Sequence, residues 1–187
     1  YASGRLAWNP QLTAAQIADE WARMTFTNDA PTLATITTLM MGSRETYLNY
    51  TMPLGLHHLI GGNHYAPMPQ NAGGPRKDWT AVYYHQASPE GIGFDRTMKG
   101  DQAVAQYFPP VRDMFDSLET CPEKYLLWFH RLPWTYKLKN GQTLWDGLVA
   151  HYYKGAADAA KMQATWQSLA GRVDAQRHRE VAERLQI

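Results

Sequence analysis

Thr13-Ala14-Ala15-Gln16-Ile17-Ala18-Asp19-Glu20-Trp21-Ala22-Arg23-Met24 decides the fold class of this chain. Thr13 and Gln16 stand three apart, the spacing at which each side chain satisfies the other's backbone N–H at the start of a helix. Ile17, Trp21 and Met24 then recur at helical spacing, which predicts a helix over about residues 13–26. On the N-terminal side, Leu6-Ala7-Trp8 reads as the tail of an element begun upstream, broken by Asn9-Pro10 because the residue before proline is steered out of the helical region. With no initiator methionine, Tyr1 is expected to be internal to a longer protein. The lack of a targeting segment therefore carries no information about export.

On the C-terminal side the same logic repeats. Asp29-Ala30-Pro31 places proline in an opening turn, and Leu33, Ile36, Leu39 and Met40 supply an apolar stripe. The threonine-rich stretch from Thr32 to Thr38 also suits a strand, but the stripe favours helix. Val111, Met114, Phe115 and Leu118 share a face, and Thr120 with Glu123 is expected to cap a run through Tyr125, Leu126 and Phe129 that Pro133 must end. Asn140-Gly141 is a turn, and Thr143 opens a helix carrying Leu144, Leu148 and Tyr152. From about Ala156, Met162, Trp166, Leu169 and Val173 form one stripe with Gly171 interrupting it. The fold class is mainly α.

Between Thr51 and Gly100 the texture changes: eight Gly and five Pro in fifty residues leave little room for regular structure, and four of the seven His fall there. A long loop of this kind is functional or disordered, and its aromatic content argues against disorder. A formal charge of +1 gives no electrostatic footprint for nucleic acid or an anionic membrane. No apolar run approaches the roughly 20 residues that span a bilayer. The single cysteine, Cys121, excludes an internal disulfide framework and is compatible with a reducing compartment without establishing one.

His57, His58, His64 and His85 raise a metal site, but there is no His-x-x-x-His and Cys121 is distant. Polar loop packing or hydrogen bonding to a ligand is the better reading, and no metal or cofactor is expected. Asp95-Arg96, together with Ser43-Arg44-Glu45, could supply an acid and its partner, although a structural ion pair fits the residue types better. Trp79, Tyr83 and Tyr84 stand close after Gly73-Gly74-Pro75, where a loop could offer a flat ring to a ligand. Alternation of Val82 and Tyr84 would equally fit a short buried strand. Trp128, Trp134, Trp145 and Trp166 lie in helical or near-helical segments, where core or subunit packing is favoured.

Longer motifs carry a resemblance. Tyr1-Ala2-Ser3-Gly4-Arg5-Leu6-Ala7-Trp8-Asn9-Pro10, Met52-Pro53-Leu54-Gly55-Leu56-His57-His58, Trp79 with Val82-Tyr83-Tyr84-His85, and Gly91-Ile92-Gly93-Phe94-Asp95-Arg96-Thr97 follow one another. Cys121-Pro122-Glu123, Leu126-Leu127-Trp128-Phe129-His130, Thr143-Leu144-Trp145-Asp146 and His151-Tyr152-Tyr153 come after them. In this order they resemble the C-terminal region of the alpha-glucuronidases of glycoside hydrolase family 67, over nearly the whole chain.

The resemblance implies a helical domain packed on an upstream (β/α)8 catalytic barrel, with residues 1–12 the tail end of that barrel and 13–187 the C-terminal domain. It implies an inverting hydrolase that cleaves the α-1,2 bond between (4-O-methyl)glucuronic acid and xylose in xylooligosaccharides. The catalytic carboxylates would all lie upstream of Tyr1, so no catalytic role falls on Glu45, Glu90 or Asp95. The loop from Met52 to Thr97 would close over the sugar cleft, with Trp79 as stacking platform and Arg44, His57, His58 and Arg96 as polar contacts. Expected partners are glucuronoxylan-derived oligosaccharides, the barrel of the same enzyme and a second copy in a homodimer. After His64-Tyr65 the family pattern is expected to continue Gly-Pro and then a Trp, whereas this chain has Ala66-Pro67-Met68-Pro69-Gln70, so no contact is carried over there. The rival expectation is a purely structural or dimerising domain, in which Trp79 would be fully buried. A free-standing carbohydrate-binding module is a third and weaker option.

Overall fold

The capping box forms as its spacing requires. In the computed structural model, which describes residues 1–57, 59, 61 and 67–186, Thr13 Oγ1 accepts from Gln16 N at 3.2 Å and Gln16 Oε1 accepts from Thr13 N at 2.8 Å. This opens α2 (Ala14–Thr25), preceded by α1 (Ala2–Trp8), which ends at the extended Asn9. Arg5 donates to both oxygens of Glu20, at 2.8 and 2.9 Å, and Tyr1 OH adds a bond of 2.8 Å, so α1 is tied to α2. Those donors, Arg5 first, hold the Glu20 carboxyl down at about 2.

The threonine-rich stretch is helix, not strand. Asp29 Oδ2 accepts from Thr32 N at 3.1 Å and from Thr32 Oγ1 at 2.6 Å, starting α3 (Ala30–Thr51), which runs well beyond the apolar stripe. Within the Gly/Pro-rich segment lies α4 (Ala81–His85), and after it come α5 (Pro109–Asp116), α6 (Leu126–Phe129), α7 (Leu144–Gln167) and α8 (Ala175–Arg184). Single 3-10 turns sit at Pro53–Gly55 and Lys77–Trp79, among others. No strand forms among the described residues, only isolated bridges such as Ile92 with Leu132.

Two expectations are corrected. Thr120 does not cap the next helix: its hydroxyl donates to Met114 O at 2.9 Å, and the run begins instead as a 3-10 turn at Glu123–Tyr125. The stripe from Met162 to Val173 is not one helix, because α7 stops at Gln167 and Gly171 takes a φ of +76° in the connection to α8. Leu169 and Val173 are buried all the same, placed by the turn.

The chain divides into two units, Tyr1–Tyr47 with Gly155–Ile187, and Leu48–Lys154. The core of the first is Ala22, Leu33, Ile36, Trp166, Leu169, Val173 and Ala182. Trp166 Nε1 donates to His178 O at 2.9 Å, and the His178 ring lies parallel to the indole at 5.7 Å, so this tryptophan is buried with its polar atom satisfied. The second unit has a leucine-rich core that includes Leu56, Leu126, Leu127, Leu144 and Leu148. Beside it, Val104, Cys121 and Phe129 pack with Tyr107, Phe115 and Trp128.

Candidate functional site

Residues 91–96 hold the middle of the second unit in place. Ile92 and Leu132 exchange backbone bonds at 3.0 and 2.9 Å, Phe94 N donates to Leu127 O at 3.3 Å, and Arg96 N to Phe129 O at 2.9 Å. This close approach needs glycine: a Cβ on Gly93, at φ +103°, would stand 2.3 Å from His130 O, and one on Gly91 would stand 2.1 Å from Leu132 O. The segment delivers the Arg96 side chain into an aromatic box. Its guanidinium lies 3.8 Å from the Trp128 ring centroid, 4.0 Å from Phe94 and 5.8 Å from Tyr84, while Nη1 donates to Trp128 O at 2.5 Å.

Arg96 is buried. Burial draws its pKa down, and the Asp101 carboxylate pulls the other way. The charge is tolerated because guanidinium is weakly hydrated and planar, so ring faces and a carbonyl replace much of its water. Such contacts contribute about 2 kcal/mol when desolvated.

The box is completed from the Gly/Pro-rich segment. Thr80 Oγ1 accepts from Tyr83 N at 3.3 Å and donates to Lys77 O at 2.7 Å, so Val82-Tyr83-Tyr84 form a turn of α4, not the short strand that the alternation allowed. Helical geometry turns neighbouring side chains about 100° apart. Tyr83 accordingly meets Phe94 at 5.2 Å, while Tyr84 stacks on Trp128 at 5.8 Å and 16°. The His57 ring meets Trp128 edge-on at 5.0 Å.

The candidates are thus divided. His57 and Arg96 come together around Trp128, which the sequence assigns to core or subunit packing and whose ring is the centre of the box. Trp79 stands directly before the Thr80 cap and is 56% exposed, with the Arg76 guanidinium 5.2 Å over its ring. Arg76 is bonded in turn to Asp78, which raises the arginine's pKa and lowers the carboxyl's. Arg44 is exposed on α3 in the other unit. His58 and His64 lie outside the described residues. Asp95 forms no pair with Arg96: its Oδ1 accepts from Thr97 N at 3.1 Å and Thr97 Oγ1 at 2.7 Å. Among the described residues no three or more of His, Cys, Asp and Glu gather into a group that could hold a metal ion.

His130 stands in the sequence only as the end of a motif, with no role assigned to it. It is buried, and burial lowers its pKa against the backbone of Phe115 and the carboxylates of Asp95 and Asp116. Its place at the end of the Leu126–Phe129 run was the available signal.

The chain as a whole is similar to known proteins. The family model described as Glycosyl hydrolase family 67 C-terminus matches residues 1–187. A probable alpha-glucuronidase A of Aspergillus clavatus is 39% identical over 189 aligned residues, covering 99% of this chain. Alpha-glucuronidase A of Emericella nidulans is 36% identical, and a probable alpha-glucuronidase A of Aspergillus flavus 38%, each again over 99% of this chain. The chain spans only 22% of the length of each of these relatives.

Proposed function

The chain belongs to glycosyl hydrolase family 67 as its C-terminal part, and from that premise we propose that it works within an alpha-glucuronidase on xylan fragments. The bond cleaved is the α-1,2 link between glucuronic acid, or its 4-O-methyl ether, and a xylose, with inversion at the anomeric carbon. Proton transfer belongs to carboxylates upstream of Tyr1, and residues 1–12 are the tail of the part that carries them. This region contributes to the sugar cleft. The observation that carries the reading is the match over residues 1–187 together with an exposed Trp79 directly before α4, the helix that supplies Tyr84 to the aromatic box. Trp79 is the stacking platform, because a flat ring with a wet face suits the apolar face of a sugar. His57 and His58 are proposed as the polar side of that contact and Arg96 as the residue that fixes the frame; Arg44, on the other unit, is proposed as a polar sugar contact of its own.

A second role has its own observation. Trp8, Phe108 and Tyr153 are more than three-quarters exposed, each a large apolar side chain that a partner surface could cover. These side chains are proposed to meet the barrel or a second copy in a homodimer.

The test compares the complete polypeptide with residues 1–187 expressed alone, on 4-O-methylglucuronosyl xylooligosaccharides. The complete polypeptide should release the uronic acid, first as the inverted β-anomer by NMR, and the isolated chain should release none. Turnover that scales with the isolated chain would sink the proposal, as would an inactive complete polypeptide.

A further inference from the structure

His85 is bonded at both ring nitrogens. Ala87 N–H, which can only donate, reaches Nδ1 at 2.9 Å, so Nδ1 carries no proton and Nε2 does. Nε2–H therefore donates to Pro69 O, 2.8 Å away and sixteen residues back along the chain. A second rung lies beside the first, where Val82 N donates to Asn71 O at 3.2 Å. Both rungs start from α4, and together they close the base of the loop that carries Arg76, Asp78 and Trp79. The C-terminal end of α4 is fastened through its backbone as well: Gly93 N donates to His85 O at 2.7 Å, and Arg131 Nη1 to Gln86 O at 2.6 Å. The His85 backbone is thus held by the same segment that positions Arg96, while its ring holds the loop.

We infer that His85 is a positioning residue for the sugar platform: its Nε2–H bond to Pro69 O sets where the Trp79 loop sits relative to the aromatic box. This rests on the reading of Trp79 as a sugar contact. With the His85 bond gone the base of the loop keeps only the Val82–Asn71 bond of this pair, and the platform then spreads over more positions. An intramolecular hydrogen bond of this kind has a net value worth about a two- to tenfold change in an equilibrium.

The two nitrogens can be separated by substitution. In His85→Asn an amide oxygen takes the place of Nδ1 and keeps the bond from Ala87 N, but nothing reaches Pro69. In His85→Gln an amide N–H stands at the reach of Nε2 and can restore the bond to Pro69. In the complete polypeptide, His85→Asn should raise KM for a glucuronosyl xylooligosaccharide roughly two- to tenfold, move kcat less, and affect a small aryl glucuronide less than the oligosaccharide. His85→Gln should lie nearer to wild type. Amide hydrogen exchange over residues 69–79 should quicken in His85→Asn and recover in His85→Gln. Because His85 acts through Trp79, His85→Asn should change KM by less than about twofold in a Trp79→Ala background. Unaltered exchange over 69–79, or full additivity of the two substitutions, would overturn the inference while leaving the Trp79 reading in place. A Trp79→Ala variant with unchanged KM would overturn both.

Discussion

At the scale of single residues, the two largest sequence candidates take opposite roles. Arg96 is enclosed by Trp128, Phe94 and Tyr84, and its hydrogen bond goes to a backbone carbonyl, so its work is to hold a frame. Trp79 is more than half exposed in this chain, so it is no part of this chain's own core. Trp79→Ala should therefore leave the melting temperature nearly unchanged, since it loses only an exposed contact with Arg76, worth about 0.5–1 kcal/mol. On a glucuronosyl xylooligosaccharide it should raise KM about ten- to a hundredfold, the equivalent of the roughly 1.5–3 kcal/mol of a buried large apolar side chain. A ring that grips ground and transition states alike leaves kcat less affected. An aryl glucuronide without xylose should feel little. Steady-state kinetics on both substrates check this; equal losses on the two would remove Trp79 from the sugar contact. The pairing of Trp79 with exposure was not legible in the sequence, because a tryptophan beside Gly-Gly-Pro suits either environment.

At the scale of elements, local signals succeeded where the partners are close in sequence. The Thr13–Gln16 capping box, the Asp29 start of α3 and the Asn140-Gly141 turn each depend on atoms within a few residues, and each forms. Thr120 failed as a cap because its hydroxyl found the carbonyls that end α5, a competition that spacing cannot reveal. The segment 91–96 depends on backbone 33 to 40 residues further along the chain, and it gives a sharp prediction. Gly93→Ala forces a Cβ against His130 O and places a side chain at φ +103°, where only glycine is unstrained. It should cost about 3 kcal/mol or more, read as a lower urea midpoint. It should also loosen the Arg96 box, visible as a change in near-ultraviolet circular dichroism. A midpoint within about 0.5 kcal/mol of wild type would show that the backbone of 130–132 yields easily.

At the scale of the whole molecule, stability has an alkaline limit set by buried protons. Burial pushes the Cys121 thiol from an ordinary 9.0 up to about 11, and the Tyr152 hydroxyl from 10.0 up to about 12. Between the unfolded and folded values the unfolded chain has released protons that the folded one retains. The contribution of these groups is therefore complete below about pH 9 and is lost as pH rises through about 11 for Cys121 and about 12 for Tyr152. Urea midpoints should accordingly fall between about pH 8 and about pH 10.5, and less steeply in Cys121→Ala. Cys121, 1% exposed, should react with a thiol reagent at the rate of unfolding and no faster. Identical slopes for wild type and Cys121→Ala, or prompt labelling of the native chain, would refute this account. By itself the sequence determined the helical class, the principal caps and turns, and membership of the family, because helix periodicity, capping geometry and ordered motifs are all written within short stretches of chain. Only the tertiary structure decided that Trp128 centres a box around Arg96, that His85 ties the Trp79 loop to α4, and that Trp79 faces water. Those outcomes depend on residues sixteen to more than thirty positions apart, and which of them meet is settled by packing and by the glycines that let two backbones touch.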